Sequence, residues 1–353
     1  MSATNHPAFL RVPAAFFGIV LGVVGLGNTW RAATKVWHLP TVVGEVLLGL
    51  GALIWLTLVI LYALKWVFAR SDALGEARNP IQCCFIGLAG VSTMLVGIAF
   101  LPYTRPVAEA LYLLGAAFTL AFAAWRTGLL WQGDRDHSAT TPVLYLPTVA
   151  GGFVMSGGAG ALGYADWGQL AFGVAFFSWL AVESVLIHRL YTLPAMPLAL
   201  RPTLGIQLAP PAVGAIAYGA INGGAPDLTS HVMMGYAILQ ALVLLRLLPW
   251  ILQQPFTASY WAFTFGVTAL ATAPLRLVAH GDTGAMATLA PYLFFGANLA
   301  VGLIAIGTLR LIVQGRLLPP APAAAATPAV AAGPASALTG LSLQGPATGQ
   351  AAK

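Results

Sequence analysis

Ten apolar runs, each long enough to cross a bilayer, recur along this chain, and no other sequence feature limits its fold so tightly. A helix needs about 20 predominantly apolar residues to traverse the roughly 30 Å hydrocarbon core. The qualifying runs cover approximately 13–33, 40–68, 80–102, 106–131, 141–164, 167–192, 202–223, 228–254, 257–279 and 290–316. They cannot be the core of a soluble domain. Only 7% of the 353 residues are charged, against about 25% in soluble globular domains, so a water-facing surface could not be covered. The expected fold class is an all-α integral membrane protein with ten transmembrane helices.

The connections set the pairing. Pro102-Tyr103-Thr104-Arg105 is one of several loops of only a few residues, which force consecutive helices to run antiparallel. A repeat is superimposed on this pairing. Each even-numbered run ends in a basic residue set among apolar ones: Lys65, Arg126, Arg189, Arg246 and Arg310, spaced 61, 63, 57 and 64 residues apart. Charges at helix ends are common, but a near-constant period signals one supersecondary unit used repeatedly. Five tandem helical hairpins are expected.

Odd and even runs differ in kind. Pro13, Pro80, Pro142, Pro147, Pro202, Pro210, Pro211 and Pro274 fall inside or at the start of the odd ones, which are also glycine-rich. The even ones are cleaner, with interior proline expected only at Pro249. Proline removes a backbone hydrogen bond and clashes one turn back, and small residues let backbones approach closely in lipid. Kinked, glycine-rich helices suit an inner ring and straight, Leu- and Val-rich ones an outer ring. Two concentric rings of five around a central pore follow.

A net charge of +6 is no nucleic-acid signal here, because the 16 basic residues are scattered among apolar segments rather than clustered on one face. They mark topology instead. Twelve lie on the side holding both termini and only Arg31, Lys35, Arg105 and Arg276 on the other, so the positive-inside bias places both termini in the cytoplasm of an inner (plasma) membrane protein. Residues 1–12 read as a short cytoplasmic N-terminus and 13–316 as the membrane domain. The Ala/Pro-rich stretch 317–353 reads as a disordered cytoplasmic tail, since it lacks the apolar content to offset the entropy of ordering.

Motifs for catalysis or metal binding are missing: there is no HExxH, no phosphate-binding loop and no Cys/His set with ligand spacing. Cys83 and Cys84 are sequence neighbours in an apolar run, which excludes a disulfide framework. Neither an enzyme nor a cofactor is expected. Glu183 is the acidic residue deepest in an apolar run, and such residues are costly in lipid. It reads as an ion-pair partner, an interfacial group or a proton-coupling site. In the ninth run, Phe263 and Phe265 point about 200° apart on a helix. If one faces the centre, the other packs outward, and Gly266 leaves Phe265 room to turn.

The run Trp261-Ala262-Phe263-Thr264-Phe265 resembles the ninth-helix signature of the tellurite-resistance/dicarboxylate transporter family, whose members are bacterial TehA-like proteins and plant slow anion channels. The first run, from Phe16-Phe17-Gly18 through Trp30, resembles that family's opening helix, and the likeness extends over residues 10–316. It implies a homotrimer with one pore per protomer, passing small anions such as chloride, nitrate, tellurite or dicarboxylates, with the phenylalanine at the position of Phe265 as pore gate. Phe17, Gly18, Gly22, Gly87, Gly152, Gly214 and Gly266 are then candidates for the pore lining. The alternative within the family is a proton-coupled C4-dicarboxylate transporter, for which Glu183 is the candidate coupling site.

Overall fold

The computed structural model describes residues 7–133 and 135–318. Residues 1–6 of the expected N-terminal segment, and nearly all of the expected tail, lie outside the described residues. Ten helical spans are long and apolar enough to cross a membrane. They are α1 (Ala14–Trp37), α2 (Thr41–Phe68), α3 (Gln82–Phe100), α4 (Arg105–Trp131), α5 (Pro142–Leu162), α6 (Ala165–Thr192), α7 (Leu198–Ile221), α8 (Leu228–Ile251), α9 (Ala258–Ala279) and α10 (Ala285–Val313). No strand occurs among the described residues. The chain is a multi-pass membrane protein.

Consecutive spans pack as hairpins, α1 with α2, α3 with α4 and so on to α9 with α10. The odd spans also contact one another in sequence, and α9 returns to α1. Burial follows the same alternation. Between 61% and 72% of the most apolar stretch of each odd span is buried, against 17–33% in the even spans. The even spans accordingly expose large apolar side chains such as Leu53, Leu113, Phe177, Leu245 and Ile306, which water would reject and lipid tolerates.

A second alternation is geometric. Every odd span enters as a tightly wound 3-10 segment before settling into α-helix: Ala14–Phe16, Gln82–Gly87, Pro142–Tyr145, Leu198–Leu208 and Ala258–Phe263. In α5 a π-helical turn, Leu146–Ala150, follows. The prolines expected to kink these helices sit mostly at or near these entries, where a missing N–H matters least. The hairpin repeat is therefore built into the backbone as well as the charge spacing.

One sequence expectation about the spans needs correcting. The last span begins at Ala285 rather than near residue 290, so Pro291 is interior and Pro249 is not the sole interior proline of the even spans. Pro106, by contrast, sits in the first turn of α4, where its missing N–H costs nothing. The stretch between α2 and α3, to which the sequence assigned no element, contains a polar helix, Arg70–Arg78. Its Glu76 carboxylate accepts from Lys65 Nζ at 2.7 Å and from the Ala14 backbone N–H at 2.7 Å. Lys65 also donates to the Val12 carbonyl at 3.1 Å. This buried pair fixes the entry of α1 to the end of α2.

Candidate functional site

Where α5, α7 and α9 end, they leave a cavity of about 270 Å³. Gly160 and Ala161 of α5, Ala215, Ile216, Gly219 and Ala220 of α7, and Ala273, Arg276 and Leu277 of α9 line it, with Gly223, Gly224 and His280 at the rim. Glycine and alanine dominate the wall because larger side chains would fill the space. Arg276 and His280 are the ionisable lining residues, and both side chains are exposed. No Asp or Glu occurs on any odd span. The electrostatic sense of the site is positive.

On α9, Phe265 lies eleven residues before Arg276, which at 3.6 residues per turn is about three turns and roughly 20° of residual rotation. The two side chains thus share a face of the helix, with Phe265 about 16 Å deeper. The surrounding motif residues have other tasks. Trp261 is buried and donates from Nε1 to Thr308 Oγ1 of α10 at 2.8 Å. Phe263 packs its ring on Gly205 of α7 and stacks with Tyr260 at 6.5 Å. Thr264 fills the space over Gly22 of α1, and Thr268 that over Gly25. Farther along the same seam, Thr29 Oγ1 of α1 meets Thr272 Oγ1 at 2.8 Å. Phe265, between buried Thr264 and buried Gly266, remains only partly buried, its ring edge beside Gly25.

The glycines named from sequence take different places. A methyl group on Gly18 would meet nothing within 4 Å, so that position borders open space. The others are helix contacts: Gly22 on Thr264, Gly87 on Phe122 of α4, Gly152 on Ala175 of α6, and Gly214 on Met233 of α8 and Phe153. Gly266 does not leave room beside Phe265. A methyl there would lie 2.9 Å from Leu208 Cβ and 3.0 Å from the Ala209 nitrogen of α7. Phe17 is 2% exposed and packs edge-on against Tyr62 of α2.

Glu183 does not form the ion pair considered for it, since no basic side chain pairs with it among the described residues. Neutral donors hold its carboxylate instead: Tyr145 Oη, Trp179 Nε1 at 3.0 Å, Tyr236 Oη at 2.6 Å and Gln240 Nε2 at 3.2 Å. These ties join α5, α6 and α8. Tyr145 opens α5 and Gly160 borders the cavity near that helix's other end, so Glu183 and the cavity are about 20 Å apart along the helix.

Sequence reasoning treated Arg276 as an orientation marker only. The three-turn spacing from Phe265 was the available signal for it.

The model of the voltage-dependent anion channel (SLAC1) family matches residues 11–309, nearly the whole helical region. The chain belongs to this family. Among its relatives, the tellurite resistance protein TehA homolog of Haemophilus influenzae is 32% identical over 306 residues, covering 86% of this chain and 92% of that protein. The guard cell S-type anion channel SLAC1 of Arabidopsis thaliana is 25% identical over 281 residues, 76% of this chain but only 50% of the plant protein, so the chain spans about half of that longer relative. An uncharacterized transporter of Methanocaldococcus jannaschii is 24% identical over 265 residues, 66% of this chain and 74% of that protein. The family resemblance read from the first and ninth helices is thereby confirmed across the SLAC1-type fold.

Proposed function

We propose that this protein is a channel for small anions, with the five odd spans as the wall of a central pore and Phe265 as its gate. The observation that carries the reading is the cavity at the ends of α5, α7 and α9, lined by small residues, bearing Arg276 and His280 and no carboxylate. Its lining reaches Ala273 on α9, about two turns from Phe265. Gly18, Ala150 and Ala209 are partly exposed on mostly buried spans, which supports a path continuing toward the opposite mouth. The gate works by steric block and by dewetting of an apolar constriction. Selectivity arises because an anion meets basic groups and no fixed negative charge along the wall. The names of the plant and bacterial relatives, an anion channel and a tellurite resistance protein, support this substrate class and make tellurite one of the anions to test.

The protein works in the inner (plasma) membrane with both termini in the cytoplasm, as the distribution of Lys and Arg supports. The cavity of Arg276 then faces the outside. The assembly is a homotrimer with one pore in each protomer. The spans from Ala14 to Val313 form the transport unit.

The test is electrical. In planar bilayers, Phe265→Ala should raise the anion current severalfold over the parent protein. An unchanged current from folded, trimer-sized protein would remove Phe265 from the gate. Liposome flux separates channel from carrier: chloride or malate efflux should persist when the pH gradient is dissipated. Flux that collapses with the gradient would favour the proton-coupled carrier.

A further inference from the structure

The first two hairpins share a construction, and one of them lacks a part. In the first, Lys65 at the end of α2 donates to the carbonyl of Val12, at the entry of α1, and Glu76 neutralises it at 2.7 Å. In the second, Arg126 occupies the corresponding place on α4 and donates from Nη2 to the carbonyl of Pro80, at the entry of α3, at 3.1 Å. No carboxylate pairs with it among the described residues. A second guanidinium arrives instead: Arg135 donates from Nη2 to the same Pro80 carbonyl at 3.2 Å and to the Ala139 carbonyl at 2.6 Å.

Two like charges converging on one neutral oxygen is an unfavourable arrangement that a bound anion would relieve. The hydrogen-bond inventory points the same way. Arg126 is 9% exposed, yet its Nε–H has no acceptor, and neither do the buried Nε and Nη1 of Arg135. Buried N–H groups are almost always satisfied, and each exception calls for a partner. Asp136 does not provide one: it forms no ion pair with either arginine, and its carboxylate accepts instead from the Ser138 backbone N–H and hydroxyl, both at 2.8 Å. Cys84, which adjoins the Pro80 segment, makes a side-chain contact to Arg126, but a sulfur is a weak acceptor and leaves the Nε–H of Arg126 and the Nε and Nη1 of Arg135 unsatisfied.

We infer that Arg126 and Arg135 bind a phosphoryl-type oxyanion, which takes the place that Glu76 fills in the first hairpin. Guanidinium groups suit such a ligand because their planar donors match several oxygens at once. The site lies beside the α3 entry, at the opposite end of the odd spans from the Arg276 cavity, and does not rest on the pore reading. Its oxyanion comes either from an anionic phospholipid headgroup at the membrane interface or from free phosphate.

The test uses the full chain in detergent and has two arms. Thermal stability is measured with millimolar inorganic phosphate against sodium chloride of equal ionic strength, and phosphatidylglycerol retained after purification is counted by native mass spectrometry. The site predicts stabilisation by phosphate, or retained phosphatidylglycerol, for the parent protein. In Arg135→Gln that ligand should bind about tenfold more weakly, in keeping with loss of a charge-assisted contact. Arg126→Gln should act in the same direction, and Arg135→Gln, altering the less buried side chain, keeps the test valid if Arg126→Gln does not fold. Phosphate alone identifies a soluble ligand and phosphatidylglycerol alone a lipid. No effect in either arm, an equal effect of chloride, or an effect undiminished in Arg135→Gln would overturn the inference.

Discussion

Arg276 and Phe265 divide the work of the proposed pore between one charge and one ring on a shared face of α9. An arginine exposed to the cavity raises the local anion concentration, and reversing its charge should do the opposite. At a few ångströms in a water-filled vestibule a unit charge is worth about 1 kcal/mol, roughly fivefold in occupancy. Arg276→Glu should therefore lower inward and outward chloride conductance by about that factor or more, whereas Arg276→Lys should largely preserve it, as read from single-channel amplitudes. Asp227 offers a different residue-scale test, outside the spans. Burial pushes its carboxyl up, but hydrogen bonds from the Ser230 side chain and backbone, Tyr218 and Asn222 outweigh it and bring the pKa down to about 2. With the ordinary value at 3.8, the folded pKa is the depressed one, so the capping box at the start of α8 contributes fully above about 3.8 and is lost as pH falls toward 2. Thermal stability should fall across that window less steeply in Asp227→Asn than in the parent protein.

At the scale of elements, the clearest feature is the shared build of the odd spans, each entering through 3-10 backbone and each held by a contact to its hairpin partner. The Lys65–Glu76 pair, which supports the first of these contacts, is the most buried ion pair among the described residues, with both side chains under 10% exposed. Removing one partner strands a buried charge, so Lys65→Ala should cost about 3–5 kcal/mol. Lys65→Met with Glu76→Leu should recover much of that loss, and chemical denaturation in detergent would measure both. Much of this level was legible in the sequence. Apolar length gave the ten spans, proline and glycine content separated the odd from the even ones, and the period of the basic residues gave the hairpin unit. The helix Arg70–Arg78 escaped because nine residues, five of them polar, carry little periodicity, and its anchor, Glu76, acts through contacts to Ala14 and Lys65 that only folding brings together. The roles of the glycines were equally hidden. Composition says that a glycine permits close approach, but not whether the neighbour is lumen or helix, and for Gly22, Gly87, Gly152, Gly214 and Gly266 it is helix.

For the whole molecule, the alternation of buried odd spans and lipid-facing even spans, with α9 closing back on α1, is what a tube of five hairpins requires. The central claim is that this tube encloses water and that Phe265 interrupts it. Substituted-cysteine accessibility tests this most directly, in a background with Cys83 and Cys84 replaced by serine. Charged thiol reagents added from the side of the Arg276 cavity should modify Gly219→Cys readily, and should reach Gly18→Cys only when Phe265→Ala is also present. Val20→Cys, on a fully buried face of α1, should stay unmodified throughout. If Gly18→Cys remains unreactive from both sides with the phenylalanine removed, no continuous aqueous path runs through the odd spans and the account is wrong.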